Sequence, residues 1–172
     1  MPRVDLKNPE NWIPREIFSK YIGPNSAGML AYYDKARQKK NAMTASFNLL
    51  AILMLPAWLG LRQQWTLLAT YTGIVGILPF IEYLTGIVIP NGAFVAINVM
   101  MGTMVNGLLL SNATAIYLKM RNQGLNDEVI GQRLCNKAKR QIPMAIVGLI
   151  GSAGIVVGLA VLADCVFAQP SP

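Results

Sequence analysis

The sequence predicts an all-α polytopic membrane protein with three full transmembrane helices plus one half-penetrating or fourth spanning helix, preceded by an N-terminal amphipathic helical segment. Residues 65–118 carry one charged side chain, Glu82, and about 20 apolar residues suffice for a helix to cross a bilayer. Charged residues make up 13% of the chain, against roughly 25% in soluble domains. The basic residues are concentrated in 1–42 and 119–140, a pattern typical of cytoplasmic segments that flank membrane helices.

Composition excludes several kinds of site. The chain of 172 residues has no histidine, the commonest metal ligand and the usual general base near neutral pH. Haem ligated by histidine, a histidine-dependent triad and His-ligated zinc are therefore excluded. Cys135 and Cys165 are too few for a thiolate cage, and we expect no cofactor and no metal. The net charge of +7 predicts contact with anionic lipid headgroups. It does not predict nucleic-acid binding, because the aromatic residues do not alternate with the basic ones as base stacking requires.

The chain divides into six segments by apolar content and charge. In order, we predict a basic cytoplasmic N-terminal segment at 1–42, a re-entrant or short first membrane helix at 43–64, a transmembrane hairpin at 65–118, a basic loop at 119–141, a last transmembrane helix at 142–164 and a tail at 165–172.

The N-terminal segment predicts a short helix over 15–21 and a second helix over 27–39, which Asn25 or Ser26 can cap. The second helix has an apolar face and a basic end. Two placements are open: the helix lies on the membrane surface, as basic amphipathic helices do, or it is solvated and packs on its own protein. The apolar face comprises Met29, Leu30, Tyr33 and Ala36, and the basic residues are Lys35, Lys39 and Lys40.

The segment 43–64 is ambiguous because its strictly apolar part, 49–61, contains Pro56 and is shorter than a full span. If it crossed, the basic residues of 1–42 and 119–141 would lie on opposite sides of the membrane, against the positive-inside rule. We therefore favour a segment that enters and returns, with a fourth span as the alternative.

The hairpin 65–118 is interrupted at 90–92 by turn residues. Its second arm places Asn98, Gly102 and Asn106 on one face, which predicts contact with another helix, since small residues allow close approach and amides form interhelical hydrogen bonds. Glu82 is an intramembrane acid, and Asn98 is its expected partner. It either has a functional role or reaches the headgroup region near the end of its span.

The last two segments carry a basic face and a small-residue pattern. A short helix in 119–141, capped by Asn126, aligns three basic residues toward lipid headgroups or an acidic partner, or serves as a topology anchor. In the last span, small residues spaced four apart predict a helix–helix interface. The basic residues are Arg133, Lys137 and Arg140, and the small residues are Gly148, Ser152, Gly154 and Gly158.

The junction between the N-terminal segment and the first apolar run contains Phe18-x-x-Tyr21-Ile22-Gly23-Pro24-Asn25, then Tyr32-Tyr33, Ser46-Phe47-Asn48, Trp58 and Arg62. This segment, residues 18–62, resembles a family of small bacterial inner-membrane proteins of unknown function. The resemblance implies no enzymatic activity and supplies no catalytic residues.

These observations lead to two functional hypotheses. The first is a non-catalytic structural or accessory subunit of a larger membrane complex, in the cell inner (plasma) membrane, with a cytoplasmic N-terminus and other membrane subunits as partners. The alternative is a homo-oligomeric channel or transport element in which Glu82, Asn98 and Asn106 line a polar path. We do not expect an enzyme, because the remaining acidic residues and cysteines are scattered along the sequence.

Overall fold

The structure, a computed structural model, describes residues 7–23, 27–138 and 141–167. The regular secondary structure within these ranges is entirely helical, which confirms the all-α prediction. In the described ranges, a 3₁₀ helix at Pro9–Asn11 is followed by eight α-helices. They are α1 (Arg15–Ile22), α2 (Ala27–Gln38), α3 (Leu49–Leu53), α4 (Leu55–Leu61), α5 (Trp65–Thr85), α6 (Asn91–Asn122), α7 (Asp127–Ala138) and α8 (Gln141–Phe167).

Among the residues that the structure describes, two helices are long and apolar enough to cross a membrane, α5 over Trp65–Glu82 and α6 over Gly92–Asn122. At 1.5 Å per residue, the 21 residues of α5 span about 31 Å, close to the roughly 30 Å hydrocarbon thickness of a bilayer. The 32 residues of α6 span about 48 Å. Because α6 exceeds the bilayer thickness, part of it is available to pack outside the membrane.

The second half of α6 packs inside a compact helical layer that we call the cap: the 3₁₀ helix, α1, α2, α7 and α6 from Val105 onward. Val105, Leu109, Leu110 and Tyr117 of α6 are buried here, whereas Val95, Val99, Met100 and Met104, which precede this part of the helix, are exposed. The side chains from α1, α2 and α7 in this core are also fully or almost fully buried. The cap core includes Phe18, Tyr21, Tyr32, Tyr33, Val105, Leu109, Leu110, Tyr117, Ile130 and Leu134.

Polar contacts fix the helices of the cap relative to one another. Tyr33 donates its hydroxyl to the carbonyl oxygen of Ile13 over 2.9 Å. The Ile13 amide donates in turn to the hydroxyl of Thr114 on α6 over 3.4 Å. Arg15 of α1 makes two hydrogen bonds, of 2.9 and 3.1 Å, to the carboxylate of Asp34 on α2. The pair is exposed and contributes little energy, so the buried aromatic side chains carry most of the stability.

The N-terminal helices lie close to their predicted positions, at Arg15–Ile22 and Ala27–Gln38. The apolar face of α2 is buried against the rest of the chain at Met29, Tyr33 and Ala36. Of the two placements that the sequence left open, the structure has α2 packed on its own protein. The candidate caps of this helix, residues 25 and 26, fall outside the described residues.

The segment that follows α2 in the chain forms two short helices, α3 and α4, of 5 and 7 residues, which are separated at Met54. Ile52 of α3 lies against Gly102, near the middle of α6. Both ends of the segment lie further along α6: Ala42 beside Gly107, and Gln64 in hydrogen-bond contact with Asn112. The chain therefore moves along α6 in one direction and then returns.

Helix α8 packs chiefly on α4 and α5. The predicted hairpin needs correction here, because α5 packs mainly on α8 rather than on α6. The missing side chain of Gly76 makes room for Leu159, whose Cδ1 occupies the space next to it. The turn is also displaced: α5 ends at Thr85, Gly86 adopts a left-handed φ of +66°, and Asn91 already begins α6.

The large exposed apolar side chains form a belt confined to three parts of the chain, 47–54, 65–104 and 146–162. In the cap core, by contrast, the large apolar side chains are buried. Exposed large apolar side chains in this number are unusual for a soluble protein and typical of a surface that contacts lipid or another membrane protein.

Candidate functional site

The predicted amide face of α6 meets residues of the same chain. Asn106, 6% exposed, accepts a hydrogen bond from Asn48 Nδ2 over 3.0 Å and donates one to Ser46 Oγ over 2.8 Å. The side-chain oxygen of Asn48 also accepts from the Ala51 amide and caps α3. The side chains of Ser46, Asn48 and Asn106 therefore hold the start of α3 against α6. The sequence predicted that this face meets another helix, and the structure identifies that helix as α3.

Two glycines of α6 permit this close approach. A Cβ on Gly102 would lie 3.2 Å from the backbone of Ile52, and one on Gly107 would lie 2.7 Å from the Ala42 carbonyl oxygen. Gly107 was not singled out from the sequence. Its spacing from Gly102 does not match the four-residue pattern of small residues on which the prediction from sequence relied.

Glu82 and Asn98 do not pair with each other, contrary to the expectation from sequence. Glu82 Oε1 accepts a hydrogen bond from the Ile89 amide over 3.2 Å and so closes the turn between α5 and α6. Asn98 Oδ1 accepts from the Tyr71 hydroxyl over 3.0 Å. Because α5 ends earlier than predicted, Glu82 lies one turn from the loop and bonds the loop backbone instead of Asn98. These bonds favour structural roles for both side chains over roles lining a polar path.

The small residues of α8 divide into two groups. Gly148 contacts α4: a Cβ there would lie 2.8 Å from Gly60 Cα and 2.9 Å from the Pro56 carbonyl oxygen. In contrast, a Cβ on Gly154 or Gly158 would meet nothing within 4 Å. Thus half of the predicted helix–helix interface is used within the chain, and the Gly154-x-x-x-Gly158 half is uncovered.

Ser152, the fourth small residue of α8, is buried and donates its hydroxyl to the Leu149 carbonyl oxygen over 3.0 Å. It lines a mainly apolar cavity of about 360 Å³ together with Tyr71 and Thr72 of α5. The hydroxyl of Thr72 is buried without a hydrogen-bond partner. Ser152 therefore bonds its own helix and faces α5 across this cavity.

Sequence reasoning missed a buried glutamine that joins the membrane helices to the cap. Gln64 is 2% exposed and lies between α4 and α5. Its Oε1 accepts from Asn112 Nδ2 on α6 over 2.6 Å, and its Nε2 donates to the Tyr21 hydroxyl on α1 over 2.9 Å. Burial raises the pKa of Tyr21 to about 12, so this hydroxyl stays protonated. In the sequence, the signal for this role was the pair of amide side chains, Gln63 and Gln64, directly before Trp65.

The predicted basic residues lie on the cap. Lys35, Lys39 and Lys40 are exposed at the end of α2, Arg133 is exposed on α7 and Lys137 is half-buried. Arg140 lies outside the described residues. As predicted, Asn126 caps α7, accepting from the Val129 amide over 2.9 Å.

A polar cavity of about 270 Å³ lies between α7 and the corner that joins α4 to α5. Gln63 at this corner adopts a φ of +52°, a left-handed conformation uncommon outside glycine, and donates to the Lys137 carbonyl oxygen over 2.7 Å. Lys137 Nζ lies 5.6 Å from the centroid of the Tyr21 ring, and burial lowers the pKa of this lysine from its usual value. The cavity is lined by Gln63, Arg133, Asn136 and Lys137.

No protein-family model, curated protein or solved structure matches this chain. The resemblance to a family of small inner-membrane proteins therefore stays a prediction. The residues that carry it are structural in this chain: Phe18, Tyr21 and Tyr33 lie in the cap core, and Ser46 and Asn48 bond to Asn106. Within the described ranges, no three His, Cys, Asp or Glu side chains group together in an arrangement able to bind a metal ion.

Proposed function

We propose that the protein is a non-catalytic accessory subunit of a larger membrane complex, embedded in the inner (plasma) membrane with α1, α2, α7 and its N-terminus in the cytoplasm. The observation that carries this proposal is the unequal use of α8. Its Gly148 side packs on α4, whereas Gly151, Gly154 and Gly158 have no neighbour within Cβ distance. These three glycines are spaced three and four residues apart and so share one helix face.

The uncovered glycine face supports partner binding because van der Waals packing drives helix association in lipid. Small residues let the backbones approach closely, and lipid offers no competing hydrophobic effect. Within the chain, the Gly148–Gly60 contact is an example of the same chemistry. A helix of another subunit is therefore the occupant we propose for the Gly154–Gly158 face.

The threading that accompanies this proposal has three spans, α5, α6 and α8, and a half-penetrating segment made of α3 and α4. The short lengths of α3 and α4 support the half-penetrating segment, since a full span needs about 20 helical residues. The path along α6 supports it too: Gly102 and Asn112, which contact the middle and the end of the segment, are about 15 Å apart along the helix. In this threading, the basic residues of α2 and α7 lie on the cytoplasmic side, in keeping with the positive-inside rule.

The threading predicts which positions react with a thiol reagent that cannot cross the membrane. With Cys135 and Cys165 replaced by serine, single cysteines introduced as Lys35→Cys and Arg133→Cys should be modified from the same side. Val88→Cys, in the turn between α5 and α6 and 77% exposed, should be modified from the other side. If Lys35→Cys and Arg133→Cys react from opposite sides, α3 and α4 form a fourth span and the proposed threading is wrong.

The accessory-subunit proposal predicts that a tagged copy purifies with other membrane subunits in mild detergent. Gly154→Leu and Gly158→Leu should remove those partners, because a leucine prevents close helix approach. Gly73→Leu is the matched control, since a Cβ on Gly73 in α5 also meets nothing within 4 Å.

Partner recovery that falls equally in the Gly73→Leu control would contradict the role of the α8 face. Purification of the wild-type chain as a stable monomer would contradict the accessory role itself. Recovery of a second copy of this chain alone would replace it with a homo-oligomer.

A further inference from the structure

We propose that the polar cavity between α7 and the α4–α5 corner binds the phosphate group of an anionic phospholipid from the cytoplasmic leaflet. The inference rests on the membrane threading proposed above but not on the accessory role. Its lining offers two cationic side chains, Arg133 and Lys137, and two amides, Gln63 and Asn136.

The position of the cavity matches the headgroup layer. Gln63 lies two residues before Trp65, where α5 begins, and the Trp65 side chain is 41% exposed. Tryptophan at the end of a membrane helix favours the boundary between headgroups and hydrocarbon. The belt of exposed apolar side chains on α8 begins at Ile146, shortly after the end of α7. A lipid can therefore place its acyl chains along this belt while its phosphate enters the cavity.

Neither Arg133 nor Lys137, the two cationic side chains that line the cavity, forms an ion pair with another residue that the structure describes. The ion pair between Arg15 and Asp34 involves neither of them. Lys137 is half-buried, and its Nζ lies 5.6 Å from the centroid of the Tyr21 ring. Since a half-buried cation such as Lys137 is costly to hold without a counter-charge, a bound anion offsets part of that cost.

The donors suit a phosphate diester. An arginine presents a planar fork that can engage two phosphate oxygens at once, whereas a lysine contributes a point charge. Arg133 and Lys137 are four residues apart on α7 and thus project from the same side of the helix. The amide of Asn136 adds a neutral hydrogen-bonding group for an ester or glycerol oxygen.

The apolar surface beside the cavity favours a lipid over a soluble anion or an acidic protein segment. A free phosphate uses only the cavity, and an acidic segment has no use for the exposed apolar side chains of α8. A phospholipid contacts both surfaces. Because only the phospholipid uses both the polar cavity and the apolar belt, a binding experiment can distinguish it from a free phosphate and from an acidic segment.

The test measures binding of phosphatidylglycerol to the purified full-length chain, by native mass spectrometry over a lipid titration in mild detergent. Arg133→Gln and Lys137→Gln are each expected to weaken binding about fivefold, the effect of removing one basic residue near an anionic surface. The double variant removes both charges and should weaken binding about 25-fold. The control is Lys39→Gln with Lys40→Gln, which removes the same charge from exposed positions on the cap. Binding by the control should equal that of the wild type.

Arg133→Lys adds a variant that keeps the charge and loses the fork, and it should weaken binding less than Arg133→Gln. Because Arg133 is exposed, these two variants are expected to fold normally, and unchanged unfolding curves verify this. Equal binding of phosphatidylglycerol and phosphatidylcholine would overturn the proposal. So would equal loss in the Lys39/Lys40 control, or displacement of the lipid by millimolar inorganic phosphate or by a poly-glutamate peptide. The assay uses the isolated chain, so failure here leaves the accessory role to be judged by co-purification.

Discussion

Replacement of Phe18 by alanine lowers the free energy of unfolding by about 3–5 kcal/mol, the cost of removing a fully buried aromatic side chain. Phe18 is 0% exposed, and its ring centroid lies 5.4 Å from that of Tyr33 and 6.5 Å from that of Tyr21. The cavity left behind would lie between α1 and α2, which the hydrogen bonds of Gln64 and Tyr33 hold in place, so it cannot collapse freely. Urea unfolding of the protein in mild detergent, followed by circular dichroism, measures the effect.

The matched control is Phe47→Ala. Phe47 is 74% exposed and belongs to the apolar belt, where detergent or lipid covers it in both folded and partly unfolded chains. Its removal should change the unfolding free energy by less than about 0.5 kcal/mol, the usual range for surface positions. Similar losses for Phe18→Ala and Phe47→Ala would contradict the division of the molecule into a packed cap and a lipid-facing belt.

Replacement of Gly148 by leucine should separate α8 from α4 and destabilise the membrane part by about 1–3 kcal/mol or more, the cost of overpacking a close contact. The atoms that a Cβ would meet, Gly60 Cα and the Pro56 carbonyl oxygen, belong to backbone. A flexible side chain could rotate away, but a backbone can yield only if the whole helix moves. The shift is measurable as a lower midpoint of thermal unfolding in detergent.

Gly154→Leu provides the control on the same helix with the same change in volume. Because nothing lies within 4 Å of a Cβ at this position, the isolated chain should keep its stability or gain slightly from the better helix propensity of leucine. Equal destabilisation by both substitutions would contradict the packing of α8 described here. Loss of partners without loss of stability in Gly154→Leu is the combined result that the accessory-subunit proposal requires.

Local sequence signals were sufficient for most helix positions. The helices near 15–21 and 27–39 and the capping of α7 by Asn126 follow from short-range patterns, which depend on residues within one or two turns. The end of α5 was misplaced by several residues, because Pro90 was the stronger turn signal, whereas Gly86 ends the helix by adopting a positive φ.

The candidate sites were predictable only in part. The sequence identified Asn106, Arg133 and Lys137 as polar or basic residues next to apolar segments, but not the side chains that meet them. Gln64 and Gln63 became prominent only in the structure. Their roles depend on α1, α6 and α7, whose contacting residues lie far from them in sequence, so the pair of amides before Trp65 does not by itself show which side chains they meet.

By itself, the sequence determined that this chain is helical and that at least two helices, α5 and α6, are apolar enough to cross a membrane. Both properties are set locally, by side-chain hydrophobicity and periodicity. The tertiary structure decided which faces pair: Gly148 meets α4, while Gly154 and Gly158 are left uncovered on the same helix. Small-residue spacing is identical for a used and an unused face, so only the packing of distant segments could distinguish the two.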